Sequence, residues 1–91
     1  MNKTININIG ERSFSITEEA YNLLHTYITN IKEYFKATSP ENFQEIVDDF
    51  EFRIAELFSE LVNSSEDKVV TRFHVAQVME QLGNVNDFAD D

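Results

Sequence analysis

The chain has 91 residues, 42% of them hydrophobic with eight Phe and three Tyr. That is enough for one domain with an economical core, burying about 60–65% of its unfolded surface, and it excludes disorder over most of the length. Seventeen acidic residues against seven basic ones give a formal net charge of −10, which repels phosphate backbones and anionic lipid, and the cations from Lys3 to Arg72 are scattered rather than clustered. Direct nucleic-acid binding is therefore not expected. The lack of cysteine excludes disulfides, thiolate nucleophiles and Cys-based zinc sites, and fits a reducing cytoplasm.

Thr4 to Ile9 alternates strictly, with Ile5, Ile7 and Ile9 on one face and Thr4, Asn6 and Asn8 on the other, which is the period of a half-buried strand. Gly10-Glu11 follows, and Gly at the first central position predicts a type II′ hairpin turn. With those two residues as the loop, Ile7 pairs with Phe14 and Ile5 with Ile16, and all four share one face. Upstream, Met1-Asn2-Lys3-Thr4 opens on no apolar run, so no signal peptide is expected, and no stretch approaches a membrane span.

Thr17 is the predicted N-cap of a first helix, with Glu18 and Glu19 suiting the positive end of its dipole. Ala20, Leu24, Tyr27, Ile28, Ile31 and Phe35 recur at helical spacing, with Tyr21 beside them, and the helix is expected to stop near Lys36 or Ala37. Ser39-Pro40-Glu41 reads as a second start, with Ser as cap and Pro at the first helical position. The apolar face of this second helix is Phe43, Ile46, Val47, Phe50, Ile54, Leu57, Phe58 and Leu61; it is expected to reach about Val62 and to be the longest element. Asn63 to Lys68 is a loop, Val69-Val70 a short extended piece that could join the hairpin, and Thr71 the cap of a third helix with Val75, Val78, Met79 and Leu82 on its face and Gly83 at its end. Asn84 to Asp91 is an acidic tail, expected to be flexible. The predicted fold is thus α+β, an N-terminal β-hairpin packed on three helices in the order β-β-α-α-α, with residues 1–83 forming one domain and 84–91 the tail.

Three stretches carry a family likeness: Phe14-Ser15-Ile16-Thr17-Glu18-Glu19-Ala20-Tyr21; then Glu45 to Phe58 with its core Arg53-Ile54-Ala55-Glu56-Leu57-Phe58; then Val69-Val70-Thr71 with Val75 and Gly83. Together, over nearly the whole chain, they resemble the N-terminal, non-membrane region of a subset of bacterial PspC-domain (phage shock protein C-like) proteins. The sequence differs from that pattern at Phe73-His74 and in the bulk of Phe50 and Phe52. The resemblance implies a regulatory module of an envelope-stress protein on the cytoplasmic face of the inner membrane. The membrane-associated PspC segment itself does not occur in these residues, and the family has no catalytic residues to carry over.

Residues able to do chemistry are few. Glu41, Glu45 and Asp49 are spaced by four, as are Glu56 and Glu60, but all lie opposite the apolar face, in water, where nothing separates their pKa values for acid and base roles. A solvated face is the expected reading. His25 and His74 sit on different helices without a ligand at i+4, so no metal site is expected; with Gly10 and Gly83 far apart there is no phosphate loop, and no cofactor is expected. Arg53, with Asp49 four residues before it and Glu56 three after, is placed for helix-surface ion pairs or for a partner carboxylate. Phe52 is the anomaly: at about 100° per residue it points almost opposite to Ile54, into the acidic face. Phe52, Arg53, Asp49 and Glu56 therefore form the candidate protein-contact site. The expected function is a non-enzymatic regulatory or protein-interaction module acting on a protein partner or by self-association. The alternative is a small acidic inhibitor or antitoxin-like protein that mimics nucleic acid and blocks a basic partner.

Overall fold

The computed structural model describes residues 3–83, and the tail from 84 onward lies outside the described residues. Two strands, β1 (Thr4–Ile9) and β2 (Arg12–Thr17), are followed by helices α1 (Glu18–Thr38) and α2 (Phe43–Asn63), a short strand β3 (Val69–Val70) and helix α3 (Arg72–Leu82). The protein is α+β, with the hairpin and three helices in the predicted order.

The hairpin has the predicted register, Ile5 opposite Ile16 and Ile7 opposite Phe14, because only this pairing puts all four apolar side chains on the helix-facing side. The turn is different. Gly10 and Glu11 both have positive φ, 55° and 64°, which makes it type I′ rather than type II′. Type I′ needs a left-handed residue at both central positions, and Glu11 accepts that conformation at the second. Gly10 cannot be replaced so easily. A Cβ built there would lie 2.8 Å from the Ala55 Cβ, 2.8 Å from the Glu51 carbonyl oxygen and 2.9 Å from the Phe52 Cα. The hairpin turn is therefore seated directly on the backbone of α2.

Val69-Val70 does join the sheet, and β3 runs parallel to β2 with Ser15 opposite Val69 and Ile16 opposite Val70. The strand order is β1-β2-β3, so β2 is central. A parallel neighbour requires a long crossover, here supplied by α1 and α2. Thr17 caps α1 as predicted, its Oγ1 accepting the Ala20 N–H at 3.1 Å. The helix runs to Thr38, slightly past the expected stop.

The start of α2 is a correction. Ser39 does not cap it; the Ser39 N–H instead donates to the Phe35 carbonyl at 2.8 Å and closes α1, and the Asn42 N–H donates back to Ser39 at 3.1 Å. Ser39 to Asn42 is spent on reversing the chain, so the second helix starts at Phe43, after Asn42. Both helices have 21 residues, so α2 is not the longest element. They return alongside each other, with the Phe35 and Phe50 rings 6.1 Å apart and Lys32 reaching Glu51 at 3.9 Å.

One hydrophobic cluster joins the sheet to all three helices. Ile16, Phe58, Ile54, Val70, Val75 and Val78 are essentially inaccessible, and Phe14 meets Phe58 edge to face at 5.5 Å. Ala55 and Val62, which lie off the predicted apolar face, are also buried; the turn at Gly10 packs against Ala55. Tyr27 is buried and its hydroxyl donates to the Gly83 carbonyl, tying the end of α3 to α1. The predicted cap of α3 is in place, with the Thr71 N–H donating to His74 Nδ1 at 3.1 Å.

Two substitutions test this packing. Leu57 is buried, so Leu57→Ala is expected to cost about 2–5 kcal/mol, enough to unfold a small domain of marginal stability, as read by thermal or urea denaturation. Gly10→Ala adds one methyl group to a left-handed turn with no space for it. A loss of more than about 2 kcal/mol is expected, far above the effect of an ordinary exposed-turn substitution. A Gly10→Ala melt coincident with that of the parent would show that the turn does not rest on α2.

Candidate protein-contact site

The acidic face of α2 is set by the burial of its opposite side. Ile54, Leu57 and Phe58 point into the core, so the residues half a turn away are solvent-facing, and Phe52 is 46% exposed. The seating of Gly10 against the Phe52 Cα places the hairpin turn next to this residue. Gly10, Glu11, Asp48, Glu51 and Phe52 together line a hollow of about 290 Å³. The aromatic ring thus lies at a junction of turn and helix, with carboxylates from both elements around it. To the acidic face that the helical wheel places around Phe52, the fold adds Glu11 and Glu51. Glu11 is 41 positions away in sequence, and only the tertiary contact brings it there.

The other residues of the predicted site divide. Arg53 pairs with Glu56, Nη1 to Oε1 at 3.3 Å, both side chains about half exposed. A surface pair at i,i+3 of this kind contributes little to stability, roughly 0–1 kcal/mol, but it occupies both groups and draws Arg53 toward the C-terminal side of Phe52. Asp49 is exposed and forms no ion pair among the described residues. Asp48 accepts from Gln44 Nε2 at 2.8 Å, which orients its carboxylate. Phe52 and Asp49 therefore remain available to a partner, and Arg53 and Glu56 reach one only by giving up each other.

Sequence reasoning singled out one exposed aromatic; the fold has a second. Phe73 is 69% exposed, and the Arg72 guanidinium carbon lies over its ring at 5.3 Å, a cation–π arrangement that covers part of the ring face. It sits at the start of α3, and its signal in the sequence was an aromatic residue one position before His74, off the Val75-Val78 face. The two histidines do local work: His74 accepts at the cap of α3, and His25 stacks on Tyr21 at 5.8 Å along α1. Among the described residues no three His, Cys, Asp or Glu side chains converge as they would to hold a metal ion. None of the described helices is long and apolar enough to cross a membrane.

No family model matches this sequence, no curated protein matches it, and no solved structure matches its fold.

Proposed function

We propose that this domain is a non-enzymatic protein-interaction module that uses Phe52 as its apolar anchor. The observation that carries the reading is the half-exposed Phe52 beside the hairpin turn, lining a hollow together with Glu11, Asp48 and Glu51. Such a ring leaves apolar area in water, where it gains nothing from the core. A partner that covers it recovers that area, and the carboxylates around it select a basic surface and orient its approach. The complementary partner surface is an apolar pocket rimmed by Lys or Arg. Arg53 and Glu56 stand at the edge of the contact, and Asp49 adds to its negative field.

The likeness of Arg53-Ile54-Ala55-Glu56-Leu57-Phe58 and its flanking stretches to the N-terminal region of PspC-domain proteins supports a regulatory setting, envelope stress sensed at the cytoplasmic face of the inner membrane. The second reading, an acidic blocker that mimics nucleic acid, is favoured by the net charge of −10 alone. The two differ in what holds the partner. A blocker depends on summed charge and loses affinity steeply with salt, whereas the anchored contact depends on one ring.

Phe52→Ser separates them. Because the residue is about half exposed and lies off the core, the substitution is expected to change stability by about 1 kcal/mol or less. Capture of the partner by the immobilised domain, quantified by mass spectrometry, is expected to fall by about 1–2 kcal/mol, or roughly 5- to 30-fold in affinity. Capture that is unchanged in the variant but abolished by moderate salt would favour the charge-mimic reading. A loss of several kcal/mol in stability would mean that the ring is a core group rather than an anchor.

A further inference from the structure

The sheet has two edges, β1 and β3, and they are built differently. β3 is two residues long and follows Lys68, whose φ is +54°; so short an edge, entered through a bend, offers little to another strand. β1 has six residues, Thr4-Ile5-Asn6-Ile7-Asn8-Ile9, with no charge, no proline and no bulge in its pairing with β2. Charges, prolines and bulges are among the features with which proteins ordinarily blunt such an edge. 

The direction of its backbone groups follows from the turn. Ile9 and Arg12 close the two-residue loop as a hydrogen-bonded pair, and alternation then turns Ile7 and Ile5 toward β2 while the N–H and C=O groups of Thr4, Asn6 and Asn8 face outward. Two contacts agree with this. The Lys3 carbonyl, in step with the inward set, accepts the Glu18 N–H at 2.9 Å. The side chains of Asn6 and Asn8 accept from Ser15 and Ser13 at 3.1 and 2.6 Å, the close approach of non-hydrogen-bonded pairs. Among the described residues no strand takes up the outward groups. Beside them a groove of about 330 Å³ is lined by Ile7, Ile9, Leu24 and Ile28, with the charged Lys32 and Glu51 also in its wall.

We propose that β1 pairs antiparallel with β1 of a second copy of this chain, joining the two sheets into one. The ends of β1 identify both the occupant and the register. Two copies, each with a net charge of −10, repel one another over most of their surface, which leaves an uncharged segment as the place where they can meet. That segment is bracketed by Lys3 at one end and Glu11 at the other. With Ile7 opposite Ile7 of the second copy, Lys3 of each lies opposite Glu11 of the other. Asn6 then faces Asn8, and their outward backbone groups exchange hydrogen bonds. A parallel pairing in register would set Lys3 against Lys3 and Glu11 against Glu11. The antiparallel register also keeps every isoleucine on the helix-facing side, so Ile7 of the second copy enters the groove, where the resident Ile7 is only half-buried.

The test is the association state of the full chain by sedimentation velocity over a wide concentration range. The expected result is a reversible monomer–dimer equilibrium. Asn6→Pro removes an N–H that faces away from β2, so the hairpin is retained while the new ladder loses a bond in each copy; the dimer Kd is expected to rise about tenfold or more. Glu11→Lys and Lys3→Glu are each expected to weaken the dimer, and the double variant to restore it. Phe52→Ser is expected to dimerise like the parent, which separates this contact from the anchor on α2. A parent chain that stays monomeric overturns the proposal, whether or not its edge accepts a foreign peptide. A folded Asn6→Pro variant with unchanged Kd also overturns it. Should that variant not fold, failure of the charge-swapped pair to recover dimerisation does the same.

Discussion

The contact between Gly10 and the backbone of α2 holds this small domain together in a way that no side-chain pair does. A left-handed glycine lets the turn approach until the space for a Cβ is taken up by Glu51, Phe52 and Ala55. Three consequences follow from that seat. Ala55 becomes a core residue although it is small and lies beside the main apolar stripe. The hairpin is held against the helical layer, which gives a two-stranded ribbon the cover it needs in water. And Glu11 is delivered to the acidic face of α2, next to Phe52.

Around that seat the packing is economical. Apart from the Tyr27 hydroxyl, no polar or charged side chain is buried among the described residues, so the core is apolar side chains in close contact, including Phe14 on Phe58. The buried Tyr27 hydroxyl is satisfied by the Gly83 carbonyl, which also fixes where α3 ends. The surface ion pairs, Lys32 with Glu51 at 3.9 Å and Arg53 with Glu56 at 3.3 Å, are exposed and orient side chains more than they stabilise. The large negative charge is thus carried on the surface, where its cost is self-repulsion rather than burial. The exceptions on that surface, Phe52, Phe73 and the neutral strand β1, are therefore the places where association has something to gain.

Much of the fold was legible because its periods are clean. Alternation from Thr4 to Ile9 and from Ser13 to Thr17 dictated both strands and their register, since a slip by one residue would turn four apolar side chains outward. Thr17 and Thr71 were readable as caps because each directly precedes an apolar helical stripe. The start of α2 was misread because Ser-Pro-Glu is a sound local start signal, and local signals do not register that α1 has only just ended. Likewise the acidic face of α2 and the exposure of Phe52 were visible on the helical wheel, while its contact with the hairpin turn was not.

The sequence by itself determined the element types, the hairpin pairing, the apolar faces of the helices and the strongly acidic character of the surface. These depend on periodicity and composition, which act within a few residues or over the whole chain at once. Only the tertiary structure decided that the turn is type I′, that β3 lies parallel to β2, that Ala55 is buried and that Glu11 and Phe52 share one hollow. Apart from the turn type, each of these joins residues distant in the chain through a close approach of two elements. The identity of one residue cannot encode that approach, because the space it occupies is defined by another element.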